Sequence, residues 1–153
     1  MLWYFFMVYQ RVVRLGDTNA AGVIYFTSLL SICHEAYESG LQDFGLNLKD
    51  FLANGSCVVP IVHAEIDFFK PLFCGDAIEV FIQPTLASES RFTLDYNVSL
   101  VSQEQQLVAK AKTIHVCIDT ITRERRSLPE YFLDFIGLGQ NHVTDITKDT
   151  LIK

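Results

Sequence analysis

One short stretch, residues 14–26, combines the residue types needed to cleave an activated carbonyl compound. An apolar segment runs into Gly16, the carboxylate of Asp17 follows at once, and Gly22 precedes a long amphipathic pattern. The first turn of a helix offers unpaired N–H groups and the positive end of the helix dipole. A carboxylate beside such donors can act on a polarised carbonyl. The alternative is that Asp17 or Thr18 only caps the helix.

The elements that position this loop are predicted from the period of their apolar residues. Residues 3–13 are aromatic and β-branched, as in a buried strand, and a helical period runs from Ile24 to about Phe44. On a helical wheel this segment has a broad apolar stripe opposite a polar one, which is typical of a helix packed on a sheet. Gly45 predicts where the helix stops.

The rest of the chain has a period of two, after a connecting region at 46–57 with a short helix predicted at Leu48–Ala53. The predicted strands are Val58–Phe69, Ala77–Leu86, Arg91–Val101 and Leu107–Ile118. Residues 129–136 predict a C-terminal helix, and the polar stretch from Gly137 predicts a frayed tail. The fold class expected is α+β, with a curved antiparallel sheet of about five strands wrapped around the long helix and closed by dimerisation.

Composition restricts the class of protein further. Half of the 153 residues are apolar and 20% are charged, which suits a single domain over residues 1–153 with an ordered core at 1–136. A net charge of −6 argues against nucleic-acid binding. The apolar opening at residues 1–9 is too short to span a bilayer, so no membrane association is expected. Four scattered cysteines lack the clustering of a metal site and indicate reduced thiols in a cytoplasmic protein.

Two motifs resemble those of the hotdog-fold acyl-CoA thioesterases of the 4-hydroxybenzoyl-CoA type. Residues 16–25, GDTNAAGVIY, are similar to the family's Gly-Asp-x-Asp-x-x-Gly-hydrophobic-hydrophobic-Tyr/Phe loop, and residues 68–76, FFKPLFCGD, to its strand-Pro-loop-Gly-Asp motif. The resemblance covers residues 3 to about 132. It departs at Asn19, where the family has a second Asp, so the carboxylate chemistry is assigned to Asp17 alone.

Three further segments resemble a narrower group, the cyanobacterial 1,4-dihydroxy-2-naphthoyl-CoA thioesterases of phylloquinone synthesis. They are CHEAYES at 33–39, VHAEIDFF at 62–69 and HVCI at 115–118. The resemblance implies hydrolysis of an aryl-CoA thioester without a cofactor or a metal. It also implies a homo-oligomer, expected to be a tetramer built as a dimer of dimers.

The resemblance also implies roles for individual residues. Asp17 is expected to attack the thioester carbonyl or to deprotonate water. On separate physical grounds, the backbone N–H groups at the helix start, around Val23, Ile24 and Tyr25, are expected to receive the oxyanion, and Gly22, Ile24 and Tyr25 are assigned to the oxyanion and substrate-binding site. His63, on a predicted strand, is a second candidate that would hydrogen-bond a ring hydroxyl of the acyl group, across a subunit boundary.

The phosphates of CoA require basic surface, and the acidic chain offers few candidates. The densest basic cluster is Arg123, Arg125 and Arg126, and Arg91 and Lys112 are further options. The forked donors of arginine suit phosphate oxygens.

Two other functions stay open at this point, and a third, a hydratase or dehydratase, is disfavoured. A broad-specificity acyl-CoA or acyl-carrier-protein thioesterase would share the fold and Asp17. A hydratase or dehydratase needs a histidine and an acid that converge, whereas His34 and Glu35 are about 100° apart on a helix. A non-catalytic acyl-CoA-binding hotdog protein would bind the thioester without turnover.

Overall fold

The computed structural model describes residues 7–102 and 106–137. In chain order the elements are β1 (Val8–Val12), a 3-10 turn (Leu15–Asp17), α1 (Phe26–Phe44), α2 (Leu48–Asn54), β2 (Cys57–Val58), β3 (Ile61–Phe68), β4 (Ala77–Ser88), β5 (Arg91–Leu100), β6 (Gln106–Val116), β7 (Ile118–Asp119) and α3 (130–137). The predicted tail lies outside the described residues apart from Gly137, which is still helical.

Five strands form one antiparallel sheet in the order β1-β4-β5-β6-β3, which leaves β1 and β3 at its edges. The alternation predicted for β5 is confirmed, because its even-numbered side chains from Phe92 to Val98 are buried while their neighbours are half-buried. The short strands β2 and β7 pair with each other outside this sheet.

Helix α1 packs its apolar stripe on the sheet, as its sequence pattern predicts. The side chains that this packing buries include Leu29, Ile32, Cys33, Ala36, Tyr37 and Leu41. The helix ends at Gly45, whose φ of 110° lies in the left-handed region that glycine adopts without a steric penalty. The predicted stop is confirmed, and the start at Phe26 comes two residues after the predicted one.

The strand predicted at Val58–Phe69 is wrong in one respect, because the chain divides it at Pro60. Residues before the proline form β2, and residues after it form β3 in the main sheet. Proline has no N–H for a strand ladder, so a continuous strand is interrupted there. The strand predicted to reach Ile118 is also divided, because β6 ends at Val116 and Ile118 belongs to β7, which pairs with β2.

A buried histidine on β6, His115, lies among aromatic side chains of the core. The His115 ring stacks on Phe92 with centroids 4.6 Å apart, and its Nε2 lies 2.8 Å from Thr113 Oγ1. Burial lowers the pKa of His115 to about 4. From α3, Phe132 and Phe135 complete the same aromatic cluster. His115 is therefore a packed core residue with no access to a substrate.

The described residues, 7–102 and 106–137, lack both a membrane-spanning helix and a cluster of metal ligands. They contain no helix long and apolar enough to cross a membrane. They also contain no group of three or more His, Cys, Asp or Glu side chains placed to hold a metal ion.

Candidate active site

The loop between β1 and α1 is held in a tight, hairpin-like shape by its own backbone. The Asn19 N–H donates to the Val23 carbonyl at 2.8 Å, and the Gly22 N–H donates to the Asn19 carbonyl at 2.9 Å. Gly22 has a φ of 75°, a conformation that β-carbon-bearing residues rarely adopt. The glycine therefore allows the chain to reverse direction between Asn19 and the start of α1.

The second sequence motif anchors this loop from the other side. Val23 forms a bridge with Phe73, and the Phe73 N–H donates to Asp76 Oδ2 at 2.7 Å. The carbonyl of Asp76 accepts from the Val13 N–H at 2.8 Å, and the Gly75 N–H donates to the Val13 carbonyl at 2.8 Å. The Gly-Asp pair of the second motif is therefore a structural tie between the end of β1 and the loop.

Asp17 has both carboxylate oxygens engaged by neighbouring groups. Its Oδ1 lies 3.2 Å from Arg11 Nη2, and its Oδ2 accepts from the Arg14 N–H at 2.8 Å. Arg11 also lies 3.5 Å from Glu35 of α1, which in turn accepts from the Tyr9 hydroxyl. The carboxylate of Asp17 thus links β1, the 3-10 turn and α1.

Asn19 has a different orientation from Asp17. Its Oδ1 accepts from the N–H groups of Ala21 at 2.9 Å and Val23 at 3.3 Å. Because both bonds use the oxygen, the amide nitrogen is left for other partners. Neither Asp17 nor Asn19 caps α1, whose N-cap residue is Tyr25 and has no side-chain cap. The alternative that Asp17 or Thr18 only caps this helix is therefore wrong.

An open cleft of about 490 Å³ lies beside the loop at the N-terminal end of α1. It is bounded by the loop, the first residue of α1 and the end of β3. Its lining residues are Asn19, Val23, Ile24, Tyr25, Phe26, Phe68, Phe69, Lys70 and Pro71. Four aromatic side chains in this set are exposed, which leaves a flat apolar surface open to a ligand. Asn19 lines this cleft, and Asp17 is not among the lining residues.

The N–H groups of the three residues assigned to the oxyanion site already have hydrogen-bond acceptors within the protein. The Ile24 N–H donates to the Leu72 carbonyl at 2.8 Å and the Tyr25 N–H to the Asp17 carbonyl at 2.8 Å, and the Gly22 N–H is bonded within the loop. The first N–H to bond within α1 is that of Ser28, which reaches the Tyr25 carbonyl.

The backbone N–H groups available to bind an oxyanion therefore belong to the next two residues along the chain. Phe26 and Thr27 occupy the first turn of α1, ahead of Ser28, where N–H groups have no helical acceptor. Within the described part of the chain, no bond from either N–H is found. Ile24 and Tyr25 remain at the cleft as lining residues, whereas Gly22 shapes the loop without lining the cleft.

His63 lies on the exposed edge strand β3 and is absent from the lining of this cleft. Its Nε2 is 3.0 Å from Glu65 Oε2, and this hydrogen bond holds the pKa of Glu65 below its usual range. Within one chain, the structure does not bring His63 together with Asp17.

The predicted CoA-binding arginines lie apart from the cleft. Arg126 donates from Nη1 to the Ser56 carbonyl at 3.0 Å and lies 3.3 Å from Asp119, so it braces the turn that follows β7. The other predicted arginines are Arg91 at the start of β5 and Arg123 and Arg125 in the segment after β7, and none of them is among the cleft-lining residues.

Three residues that line the cleft have no functional role assigned from the sequence. They are Asn19, which departs from the family motif, together with Phe26 and Lys70. The FFKP segment was a signal, because a cation directly follows two aromatics at a strand end.

The comparisons with known proteins agree with this architecture. The thioesterase-like superfamily matches residues 13–136. The 1,4-dihydroxy-2-naphthoyl-CoA hydrolase of Synechococcus elongatus is 49% identical over 131 residues, which are 85% of this chain and 94% of that protein. The enzyme of the same name from Microcystis aeruginosa is 50% identical over 131 residues, covering 86% and 93%.

Solved structures with the same fold include two cyanobacterial proteins. A 1,4-dihydroxy-2-naphthoyl-CoA thioesterase from Synechocystis superposes with a TM-score of 0.82 at 44% identity, covering 86% of this chain and 95% of that one. A thioesterase described as putative, from Prochlorococcus marinus, gives a TM-score of 0.84 at 32% identity, covering 91% and 99%. The fold is the hotdog fold that the sequence motifs imply, and the chain belongs to the thioesterase-like superfamily.

Proposed function

We propose that this protein hydrolyses the thioester of 1,4-dihydroxy-2-naphthoyl-CoA to 1,4-dihydroxy-2-naphthoate and CoA. The observation that carries the proposal is the aromatic cleft at the N-terminal end of α1, in a chain about half identical to hydrolases named for this substrate. A fused aromatic acyl group suits a cleft whose walls include Tyr25, Phe26, Phe68 and Phe69.

The reaction places negative charge on the thioester carbonyl oxygen when the tetrahedral centre forms. In this proposal the N–H groups of Phe26 and Thr27 receive that charge, assisted by the helix dipole. The C–S bond then breaks and CoA leaves as its thiol. One preorganised donor of this kind contributes about 3 kcal/mol to transition-state stabilisation.

Asp17 is the proposed nucleophile or general base, since it is the only carboxylate of residues 14–26. As a nucleophile it forms a mixed anhydride that water then hydrolyses, and as a base it deprotonates the attacking water. In the arrangement described here the carboxylate faces Arg11 and the Arg14 N–H. Either route therefore requires Asp17 to exchange the Arg11 contact for water or substrate.

One observation favours a second candidate function, binding of an acyl-CoA without turnover. The polar residue that the loop presents to the cleft is Asn19, an amide, and an amide is not a base at neutral pH. The pairing of the Asp17 carboxylate with Arg11 also favours a binding protein. A binding protein would show affinity for the thioester and release no thiol.

We further propose that the working unit is a dimer formed through β3. This strand is a sheet edge, nearly all of its residues are exposed, and its exposed side chains include Ile61, Val62 and Phe68. A long edge strand with exposed apolar side chains is a template for pairing with another chain. Such pairing would bring His63 of one copy near the partner, and two such dimers would give the expected tetramer.

We also propose that the reaction takes place in the cytoplasm. The cysteines that the structure describes are all unpaired, as expected for a protein of the cytoplasm. In this proposal the product, 1,4-dihydroxy-2-naphthoate, serves phylloquinone synthesis, the pathway that the sequence resemblance implies.

A thioester panel with a colorimetric thiol readout tests the proposal. We expect 1,4-dihydroxy-2-naphthoyl-CoA to be hydrolysed with a kcat/KM at least about 100-fold above aliphatic acyl-CoA substrates, which is about 2.7 kcal/mol of transition-state discrimination. Similar values across the panel would indicate the broad-specificity thioesterase. Thiol release at the uncatalysed rate, with saturable binding, would indicate the binding protein.

A further inference from the structure

We propose that Lys70 binds a phosphate group of the CoA moiety at the mouth of the aromatic cleft. This inference rests on the proposed function in that the ligand is a CoA thioester, but it concerns binding and not the chemical step. It replaces the arginines after β7 as the source of positive charge for the nucleotide part of the ligand.

The backbone at Lys70 is fixed in place, which makes it a suitable anchor for a binding group. The N–H groups of Phe69 and Lys70 both donate to the Val108 carbonyl of β6, at 2.8 and 3.2 Å. Pro71 follows with a restricted φ, and the next carbonyl, that of Leu72, accepts from the Ile24 N–H at 2.8 Å. The residue is therefore tied both to the sheet and to the active-site loop.

The charge distribution around the cleft favours an anion. Lys70 is the only one of the nine lining residues with a formal charge, and the lining contains no carboxylate. The N-terminal end of α1 adds positive potential at the same cleft. In a chain of net charge −6, this makes the cleft a local site of positive charge.

Lys70 is also available for a ligand. It takes part in none of the ion pairs found among residues 7–102 and 106–137. By contrast, Arg11 is paired with Asp17, and Lys112 is 3.4 Å from Asp95. A lysine ammonium on a flexible stem binds phosphate as a point charge, and its exposed position leaves room for the phosphate outside the apolar walls.

The aromatic residues beside Lys70 complete the argument for a two-part ligand. Phe68 and Phe69 directly precede the lysine and line the same cleft, so the cleft offers both apolar surface and a cation. An acyl-CoA has the matching order of parts, with an apolar acyl group at one end and phosphates at the other. Free phosphate or a short anion would use only the lysine and would gain nothing from the aromatic walls.

The direct test measures binding by calorimetry for CoA and for pantetheine, which carries the same thiol arm but no phosphate. We expect Lys70→Ala to weaken CoA binding about tenfold, the usual size of one charge-assisted hydrogen bond, and to leave pantetheine binding unchanged. Lys70→Arg should keep CoA affinity within a few fold of the parent. The charge-matched control is Lys49→Ala on α2, which should alter neither ligand.

The inference is overturned if Lys70→Ala weakens CoA and pantetheine equally, if it weakens neither, or if the parent does not distinguish the two ligands. A loss of CoA affinity in Arg125→Ala but not in Lys70→Ala would return the role to the arginines. Because this readout needs no turnover, it stands even if the protein proves not to hydrolyse the thioester. With an active enzyme, the same variant should raise the KM of the CoA thioester more than that of the pantetheine thioester.

Discussion

Arg11 of β1 donates from Nη2 to the carboxylate of Asp17 across 3.2 Å, and both side chains are largely shielded from solvent. This contact, with the Arg14 N–H on the other oxygen, holds the loop carboxylate toward the sheet. Two residues later, Asn19 is directed to the cleft. The chemistry of the loop therefore depends on which of these two positions meets the substrate.

Asp17→Asn tests the role of the carboxylate. If Asp17 acts as nucleophile or base, we expect kcat to fall by about 100-fold or more, with thioester binding retained, since a positioned acid–base group contributes about 10² to 10⁴ in rate. Steady-state kinetics and equilibrium binding measure the two effects. Turnover within a few fold of the parent would limit Asp17 to holding the loop, and Arg11→Met would then have a similar small effect.

Asn19→Asp places a carboxylate at the position that faces the cleft. One oxygen of the new side chain can keep the bonds from Ala21 and Val23, and the other would face the substrate as a base. We expect kcat to rise by about tenfold or more above the parent, because a general base at the cleft accelerates proton transfer and a well-positioned one contributes about 10² or more. Asn19→Ala is the control that removes the amide without adding charge. An equal fall in both variants would mean that the amide itself is required.

Phe26→Pro tests the proposed oxyanion donor. Proline at the first helical position removes the N–H while keeping the helix, and Tyr25 before it already has the extended ψ of 139° that proline requires. We expect kcat to fall about 100-fold relative to Phe26→Ala, which loses the ring but keeps the donor. Circular dichroism and thermal melting should show that both variants stay folded. Equal kcat values in the two variants would place the oxyanion elsewhere.

The buried His115 predicts a pH-dependent stability. Its folded pKa of about 4 lies below the ordinary value of 6.5, mainly because burial disfavours the charged ring, with His34 a smaller contribution. Between these pH values the unfolded chain binds a proton that the folded chain does not. The stability is thus fully present above about pH 6.5 and falls as the pH approaches 4, by about 3 kcal/mol from this group.

Urea unfolding between pH 7.5 and 4 measures this effect. His115→Gln should lose about 3 kcal/mol less than the parent across the same range, because glutamine has no charge to bury. Parallel stability curves for the two proteins would assign the pH dependence to other groups.

Val62→Lys tests the proposed interface at β3. Placing a charge on the edge strand should separate the copies paired through β3 and so lower the mass of the oligomer, since a buried unpaired charge opposes strand pairing. Val12→Lys on β1 is a matched control, because this valine is on the other edge of the sheet and is similarly exposed, 51% against 58% for Val62. Light scattering after size-exclusion chromatography distinguishes the outcomes. An unchanged mass for Val62→Lys would exclude this edge as the interface.

The sequence by itself determined the order and type of the elements and the place of the loop. These features depend on local periodicity, and on residues such as Gly45 whose backbone preferences act within one turn. The period of the α1 segment and the alternation in β5 both survive in the structure. The division of a predicted strand at Pro60 was not predicted, but it also has a local cause, because proline cannot donate a hydrogen bond to a strand ladder.

Only the tertiary structure decided how the loop is used. Asp17 and Asn19 are both polar and lie two residues apart, but Arg11 from β1 pairs with the carboxylate of Asp17, whereas Asn19 lines the cleft. Lys70 reaches the same cleft from 51 positions further along the chain than Asn19, through pairing of β3 with β6. The N–H groups of Ile24 and Tyr25 donate to the backbone carbonyls of Leu72 and Asp17, respectively. Such contacts depend on three-dimensional packing, which periodicity does not encode.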